Sequence, residues 1–357
     1  MTKVASFEIH YRQYLDAAGT AVAELPAFAR DPKALIPLYR AMVLTRRFDA
    51  KAVALQRTGR LGTFASSLGQ EAVTVGLAAA MRPEDVLLPT YREAGAQLWR
   101  GVRMEELLLY WGGDERGSDF QGPRADFPIC VPIASQCLHA VGVAYAKKLK
   151  REPGVAVCVC GDGATSNGAF YEAINYAGVW RVPALFVVNN NQWAISMPRA
   201  AQTAAGTLAQ KAIAAGIPGV QVDGNDVIAV RDAVEQGLAR ARGGEGASVI
   251  EALTYRMTDH TTADDASRYR DAEEVSGQWA KDPIARLRQH LAAAGAWSKD
   301  QEERLIETIS GEIDAAVERY LATPPMPPEA MFDHLYAVLP AAYTEQQIAA
   351  SRGGDHA

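Results

Sequence analysis

The chain has 357 residues, 48% of them apolar, and a formal net charge of −6. That length and composition can bury a large core as one α/β unit with appendages. The charge is slightly acidic and spread along the chain, which argues against nucleic-acid binding, and no apolar stretch is long enough to span a bilayer. Met1 to Leu15 contains Glu8, His10 and Arg12 rather than a signal-peptide core, so a cytoplasmic location is expected, with removal of an organellar transit peptide left open.

Residues 1–37 read as an N-terminal arm, one use of which would be to wrap a partner. The spacing of Leu38, Met42, Phe48 and Leu55 predicts a helix over Leu38–Arg57. In Asp85–Arg92 a short apolar run delivers Tyr91 and Arg92 to a strand end, where an arginine suits bidentate phosphate binding, although alone it reads as solvated. A helix-like run from Cys137 to Lys148 carries His139, which reads as a packing or interface residue rather than a ligand. Cys130, Cys137, Cys158 and Cys160 form no CxxC pair and no zinc spacing, so they are expected to be small core residues in a reducing compartment.

The next segment carries the most information. Val155–Cys160 is short, apolar and β-branched, as a buried strand should be, and Gly161 and Gly163 punctuate its end. Ala169–Trp180 has helical spacing, Pro183 follows, and Ala184–Val188 is a second strand-like run ending at Asn189-Asn190-Asn191. A strand–helix–strand crossover makes the strands parallel, so Asp162 and Asn191 should share the carboxyl edge of one sheet, where open α/β folds bind ligands. One carboxylate and one amide oxygen suit Mg²⁺, whose remaining ligands come from phosphate and water. Gly163 and Ala164 would let the backbone approach a diphosphate, with amides of the following helix as donors. Taken singly, Gly-Asp-Gly reads as a turn and Asn-Asn as a strand-end loop; the crossover joins them.

A further βαβ unit is predicted from Val220–Asp226 through a helix at Val227–Arg242 to a strand at Ser248–Leu253, with Asp226 preferred as a helix cap over a metal ligand. Tyr255–Arg270 is polar and charged, which predicts a surface loop on a strand end, and it contains His260. A lone histidine there usually just faces solvent. Beyond Asp282 the chain reads as helical, with a capping box at Ser298 and Gln301, an amphipathic stretch to Leu321, a proline-rich connector at Thr323–Pro328 and a last helix at Met331–Leu339.

Gly161-Asp162-Gly163, with Asn167, Glu172, Asn175, Ala177, Trp180, Pro183 and Asn190-Asn191, resembles the thiamine-diphosphate motif. From about Leu38 to Leu339 the chain is similar to the α-subunits of the decarboxylating component of 2-oxo acid dehydrogenase complexes, the pyruvate and branched-chain type with separate α and β chains. The resemblance implies an α/β thiamine-diphosphate-binding fold: a parallel sheet flanked by helices over residues 38–282, the N-terminal arm over 1–37, and a helical C-terminal extension over 283–357. It implies thiamine diphosphate and Mg²⁺ as cofactors, a β-subunit partner in an assembly of two α and two β chains, and a lipoyl-bearing acyltransferase as acceptor of the acyl group.

Residue by residue, it assigns Tyr91 and Arg92 to the cofactor diphosphate. It gives the backbone of Val131 and Ile133 to the aminopyrimidine, and Gly163, Ala164 and Asn189 to the cofactor. Asp162, Asn191 and the backbone of Trp193 go to the metal. His260 becomes the active-site histidine beside the cofactor, held by loop-ordering Asp264, Arg268, Tyr269 and Arg270. Ser135 and Gln136 match a potassium site of some relatives, and Ser66–Glu71 matches a helix-opening segment near the cofactor. The glutamate that contacts the aminopyrimidine is expected from the β chain.

Departures from the pattern bear on function. A glycine-rich stretch ending in a second active-site histidine is absent near Phe120–Phe127. Asn189 stands where branched-chain relatives often carry an arginine, Trp193 where a tyrosine is common, and Thr261 where some relatives are phosphorylated on serine. Pyruvate is preferred as substrate over branched-chain 2-oxo acids because Lys211–Asp226, including Ile217-Pro218-Gly219, looks nearer to bacterial pyruvate relatives. An acetoin-cleaving relative and a noncatalytic partner chain are the alternatives.

Overall fold

The computed structural model describes residues 1–353, so Gly354–Ala357 of the expected C-terminal extension lie outside the described residues. Its strands are β1 (Tyr11–Arg12), β2 (Val86–Leu88), β3 (Ala156–Gly161), β4 (Ala184–Asn190), β5 (Trp193–Ala194), β6 (Met197–Pro198), β7 (Gly219–Asp223) and β8 (Ser248–Leu253). β5 and β6 form a small hairpin; the other six make one parallel sheet in the order β1-β7-β8-β4-β3-β2. Helices cover both faces of a parallel sheet, which is why β3 and β4 are apolar on both sides rather than alternating with polar residues.

The period-2 geometry of a strand sorts their side chains into two cores. Cys158, Cys160, Phe186 and Val188 pack with Ala140, Val141, Phe170 and Ile174 from the helices Ser135–Lys150 and Gly168–Trp180. Val157, Val159, Leu185 and Val187 pack on the other face with Val73, Leu77, Val230 and Val234 from the helices Glu71–Ala80 and Val227–Arg242. Burial of each of these Val, Leu, Ile and Phe side chains contributes about 1.5–3 kcal/mol. Of the four cysteines, Cys137, Cys158 and Cys160 are buried free thiols in the core, whereas Cys130 is only partly buried, on the edge of a cavity.

A third core is built mainly from helices and contains no strand of the large sheet. Leu38, Met42 and Phe48 of the helix Ile36–Arg57 meet Leu287 and Leu291 of Pro283–Ala293 and Ile309, Ile313 and Val317 of Lys299–Ala322. The longest of these helices opens with the Ser298/Gln301 capping box. The helix Ile36–Arg57 begins two residues earlier than its apolar spacing suggests, because Pro37 sits in its first turn, where a missing N–H costs nothing.

Two stretches differ from the sequence expectation. From Tyr11 onward the N-terminal segment lies on the chain's own body: Tyr11 and Arg12 pair with Gln221 and Val222, and the Asp226 carboxylate accepts from the amides of Tyr14 and Leu15, both at 2.7 Å. The other Asp226 oxygen accepts from Ile228 N and Ala229 N, the helix cap. Met331–Leu339 is not a helix. Leu335, Tyr336 and Val338 are exposed and bury no stripe, and only a 3₁₀ turn forms at Pro328–Phe332; the last helix is Thr344–Gly353.

Candidate active site

Gly161 pairs with Asn189 across β3 and β4, so the residues that follow each strand leave the sheet side by side. Asp162 enters a 3₁₀ turn, Gly163–Ser166, and the helix proper starts at Gly168 under an Asn167 cap; the donors nearest the strand end are therefore those of the turn. Gly163 is needed here because a Cβ would lie 2.6 Å from the Cβ of Ala194 in the hairpin. β8, beside β4, delivers Thr254, Tyr255 and the His260 loop to the same edge.

These ends surround a cavity of about 630 Å³. Tyr91, Arg92, Val131, Ile133, Asp162, Gly163, Ala164, Asn189, Asn191, Trp193 and His260, each singled out from sequence, all line it. A neighbouring cavity of about 790 Å³ lies beyond Trp193 and Tyr255; apart from Trp193 it contains none of those residues, and its rim mixes Glu274 with Lys281. The chemistry points to the first.

The polar groups around that cavity are held from behind. Asp162 is 2% exposed, burial raises its carboxyl above the usual range, and Gln202 Nε2 opposes this by donating to Oδ2 at 2.8 Å. The other oxygen, Oδ1, is left for a ligand. Asn191 Oδ1 accepts from Trp193 N at 3.2 Å, and its Nδ2 donates to Gln70 Oε1 at 3.1 Å. Asn189 is engaged at both amide atoms, donating to Gln70 and accepting from Thr254 Oγ1.

Arg92 is buried and has no carboxylate within ion-pair distance among the described residues. It donates instead to carbonyl oxygens, those of Ser66 and His260, and to His260 Nδ1. A buried cation without a counter-charge is costly, so its cavity is suited to an anion. Ser66 is itself fixed by Asp49, whose buried carboxyl accepts from Ser66 Oγ at 2.6 Å and Ser67 N at 2.7 Å and is pushed up to about 6 by desolvation.

His260 is half-buried, with the Tyr91 ring edge-on at 6.0 Å. Burial, then the positive charges of Arg92 and Arg256, bring its pKa down to about 4. Nδ1 faces Arg92 Nη2 at 3.0 Å and Arg256 Nη1 at 3.4 Å. Guanidinium nitrogens only donate, so Nδ1 is an acceptor and the ring proton is on Nε2. The loop around it is tied internally: Asp264 accepts from His260 N at 2.9 Å and from the Tyr269 hydroxyl, and Arg270 donates to the carbonyl oxygens of Arg256 and Thr258. Arg268 does not take part in the ordering expected of it; its side chain is 82% exposed and pairs only with Asp265. Arg256, fully buried beneath the loop and bonded to Ile195 O and Tyr269 OH, does that work.

Val131 and Ile133 stand on the rim with half-exposed side chains, just before Ala134 at a left-handed φ of 68°. Gln136 donates to Val159 O at 2.9 Å, leaving Oε1 a buried acceptor with no protein donor among the described residues. Where a second histidine loop would lie, Asp126 accepts from Leu87 N and Arg100, stitching the segment to β2. Sequence reading assigned no role to Gln70, Gln202, Arg256 or Glu93, the last a buried carboxyl on the cavity that accepts from Thr90 N and Oγ1, both at 2.6 Å. Glu93 was adjacent to a matched pair and Gln70 inside a matched segment; Gln202 and Arg256 carry no signal without the fold.

The residues fit a diphosphate ester with a divalent ion: a buried arginine with no carboxylate partner among the described residues, a free Asp162 oxygen and an Asn191 oxygen share one cavity. Residues 39–329 match the family described as "Dehydrogenase E1 component", whose members depend on thiamine diphosphate, and the chain belongs to that family. Among curated relatives, it is 45% identical over 84% of its length to the 3-methyl-2-oxobutanoate dehydrogenase subunit alpha of Mycobacterium tuberculosis, covering 82% of that protein. It is 40% identical to the pyruvate dehydrogenase E1 component subunit alpha of Mycoplasma genitalium, over 88% of each chain, and 40% identical to that of Staphylococcus aureus, over 94% of this chain and 90% of the relative. No helix among the described residues is long and apolar enough to cross a membrane.

Proposed function

We propose that this chain is the α-subunit of the thiamine-dependent decarboxylating component of a pyruvate dehydrogenase complex, acting with a β-subunit in an assembly of two α and two β chains. The observation that carries the reading is the convergence of Asp162, Asn191, Arg92 and His260 on one cavity at the carboxyl edge of β3 and β4. Thiamine diphosphate, when bound, supplies the electron sink for loss of carbon dioxide from a 2-oxo acid.

The chain's own residues bind and orient. Arg92, with Tyr91 beside it, and the turn at Gly163 and Ala164 hold the diphosphate, Asn189 braces this region through Gln70, and Asp162, Asn191 and the Trp193 carbonyl hold Mg²⁺. The backbone at Val131 and Ile133 holds the aminopyrimidine. His260, neutral with its proton on Nε2, would donate a hydrogen bond from that N–H to the reacting sulfur during transfer of the acyl group to the lipoyl arm of the acyltransferase component. A potassium ion at Ser135 and Gln136 would use the spare Gln136 oxygen. The β-subunit would cover an exposed apolar stripe, Leu149, Tyr171, Tyr176, Val179 and Trp180, of a kind that marks protein contacts.

A branched-chain 2-oxo acid is the second reading, favoured by the 45% identity to the mycobacterial relative. The test is co-expression with the β chain, addition of thiamine diphosphate and Mg²⁺, and measurement of carbon dioxide release from pyruvate and from 3-methyl-2-oxobutanoate. Release from pyruvate alone supports the first reading and release from the branched acid alone the second. No release despite bound cofactor overturns both in favour of an acetoin-cleaving or noncatalytic chain.

A further inference from the structure

Gln70 is completely buried at the start of the helix Glu71–Ala80 and is one of the residues lining the cavity. The orientation of its amide follows from the neighbours. The backbone N–H of Trp193 points at one atom of the Asn191 amide at 3.2 Å, and only an oxygen can receive it. The other Asn191 atom is therefore the nitrogen, a donor, and it lies 3.1 Å from Gln70. Gln70 must answer with its oxygen, which also accepts from Asn189 Nδ2 at 3.0 Å. Nε2 is then turned away from both asparagines, and it is a buried donor with no partner among the described residues.

A buried amide donor left without an acceptor is unfavourable, and native structures rarely leave one unless a ligand or water completes it. Here the unsatisfied donor belongs to a residue lining the same cavity as the unpaired Arg92 guanidinium and the free oxygen of Asp162. We propose, resting on the thiamine-diphosphate reading above, that Gln70 is a cofactor-binding and positioning residue: Nε2 donates to a phosphate oxygen, while Oε1 fixes the Asn191 amide so that its oxygen faces the metal. Gly69 permits this. Its φ is +87°, and a Cβ would lie 2.6 Å from Met257 Cγ, so the segment packs directly against the chain leading to His260.

The test uses the assembled complex with its β chain, titrated calorimetrically with thiamine diphosphate and with thiamine at saturating Mg²⁺, and with Mg²⁺ at fixed thiamine diphosphate. Gln70→Met removes both the donor and the acceptor at nearly constant size. It should weaken thiamine diphosphate by roughly 10- to 100-fold, the range for a hydrogen bond to a charged group, and raise the Mg²⁺ needed for half-saturation. Gln70→Glu keeps the acceptor for the asparagines but turns a lone pair toward the phosphates, so it should weaken thiamine diphosphate at least as much. Thiamine, which has no phosphate, should bind all three proteins equally. Unchanged thiamine diphosphate affinity in both variants overturns the inference and leaves the family reading standing. A parallel loss of thiamine binding and of melting temperature reduces Gln70 to a structural role. Failure of the wild-type complex to bind thiamine diphosphate at all overturns the reading and the inference together.

Discussion

Arg92 grips His260 at two points: its Nη2 lies 2.6 Å from the histidine's carbonyl oxygen and 3.0 Å from its Nδ1. The same guanidinium is the buried cation that faces the cavity, so the anion site and the proton-bearing ring are joined by one side chain. Arg92→Lys, which retains charge but lacks the second nitrogen, should lose the simultaneous hold on His260 and Ser66 and much of the cofactor affinity. His260→Ala should spare cofactor binding and slow acyl transfer to the lipoyl group by about 10²- to 10⁴-fold. Cofactor titration and single-turnover transfer, run on both variants, separate the roles; equal loss of binding in the two would contradict the division.

The depressed pKa of His260 makes stability depend on pH with a definite sign. In the unfolded chain the ring takes a proton near 6.5, whereas in the folded chain it resists until about 4. Its contribution to stability is therefore complete above pH 6.5 and is lost as pH falls through that window. Between pH 6.5 and 4 the melting temperature of the wild type should fall more steeply than that of His260→Gln. Parallel curves would refute the assignment of a neutral imidazole.

Asp162 is steadied by Gln202, which donates to one carboxylate oxygen at 2.8 Å and, on the Mg²⁺ proposal, leaves the other for the ion. Groups behind metal ligands typically contribute 10- to 100-fold in affinity. Gln202→Ala should raise the Mg²⁺ requirement by about 10-fold, whereas Asp162→Ala should abolish metal-dependent binding; Mg²⁺ titrations followed by cofactor retention distinguish these outcomes.

Arg46 holds the fully buried Glu71 carboxylate in a bidentate pair at 2.8 and 3.0 Å and also bonds Asp282. Arg46→Met leaves Glu71 an uncompensated buried charge, a change that costs about 3–5 kcal/mol. Urea unfolding should register that loss, and Arg46→Met combined with Glu71→Gln should recover a large part of it.

Tyr145, Tyr176 and Trp180 form an exposed aromatic group, with Trp180 centroids 4.9 Å from both tyrosines. Trp180→Lys should leave the chain folded and weaken its association with other chains, read by sedimentation of the co-expressed complex. Unchanged assembly would remove this face from the interface.

What the sequence made legible is local. The Gly161-Asp162-Gly163 turn and the Asn189–Asn191 end could be joined on paper because one crossover separates them and the strands run parallel. Gln70 meets Asn191 across 121 residues, and Arg92 meets His260 across 168, distances over which spacing carries no information. The tyrosine–arginine pair and the histidine, singled out through resemblance, do line the cavity; the glutamines that hold Asp162 and Asn191 were not singled out, because their work lies in hydrogen bonds to other side chains. Tyr11–Arg12 escaped for a different reason, being too short to display alternation. Arg256 and Arg268 were indistinguishable as charged loop residues until burial separated them.

The helical core that joins Leu38, Met42 and Phe48 to Leu287, Ile309 and Val317 has a consequence for synthesis. The helices Glu71–Ala80 and Ala94–Trp99 cover part of the first long helix as soon as they are made, but the part of its apolar face that meets Ile309, Ile313 and Val317 stays open until the penultimate helix has been made. At typical translation speeds that interval is on the order of ten seconds to a minute. During it the nascent chain presents an adhesive surface, so a ribosome stalled before Lys299 would release a product that is sticky rather than merely shortened.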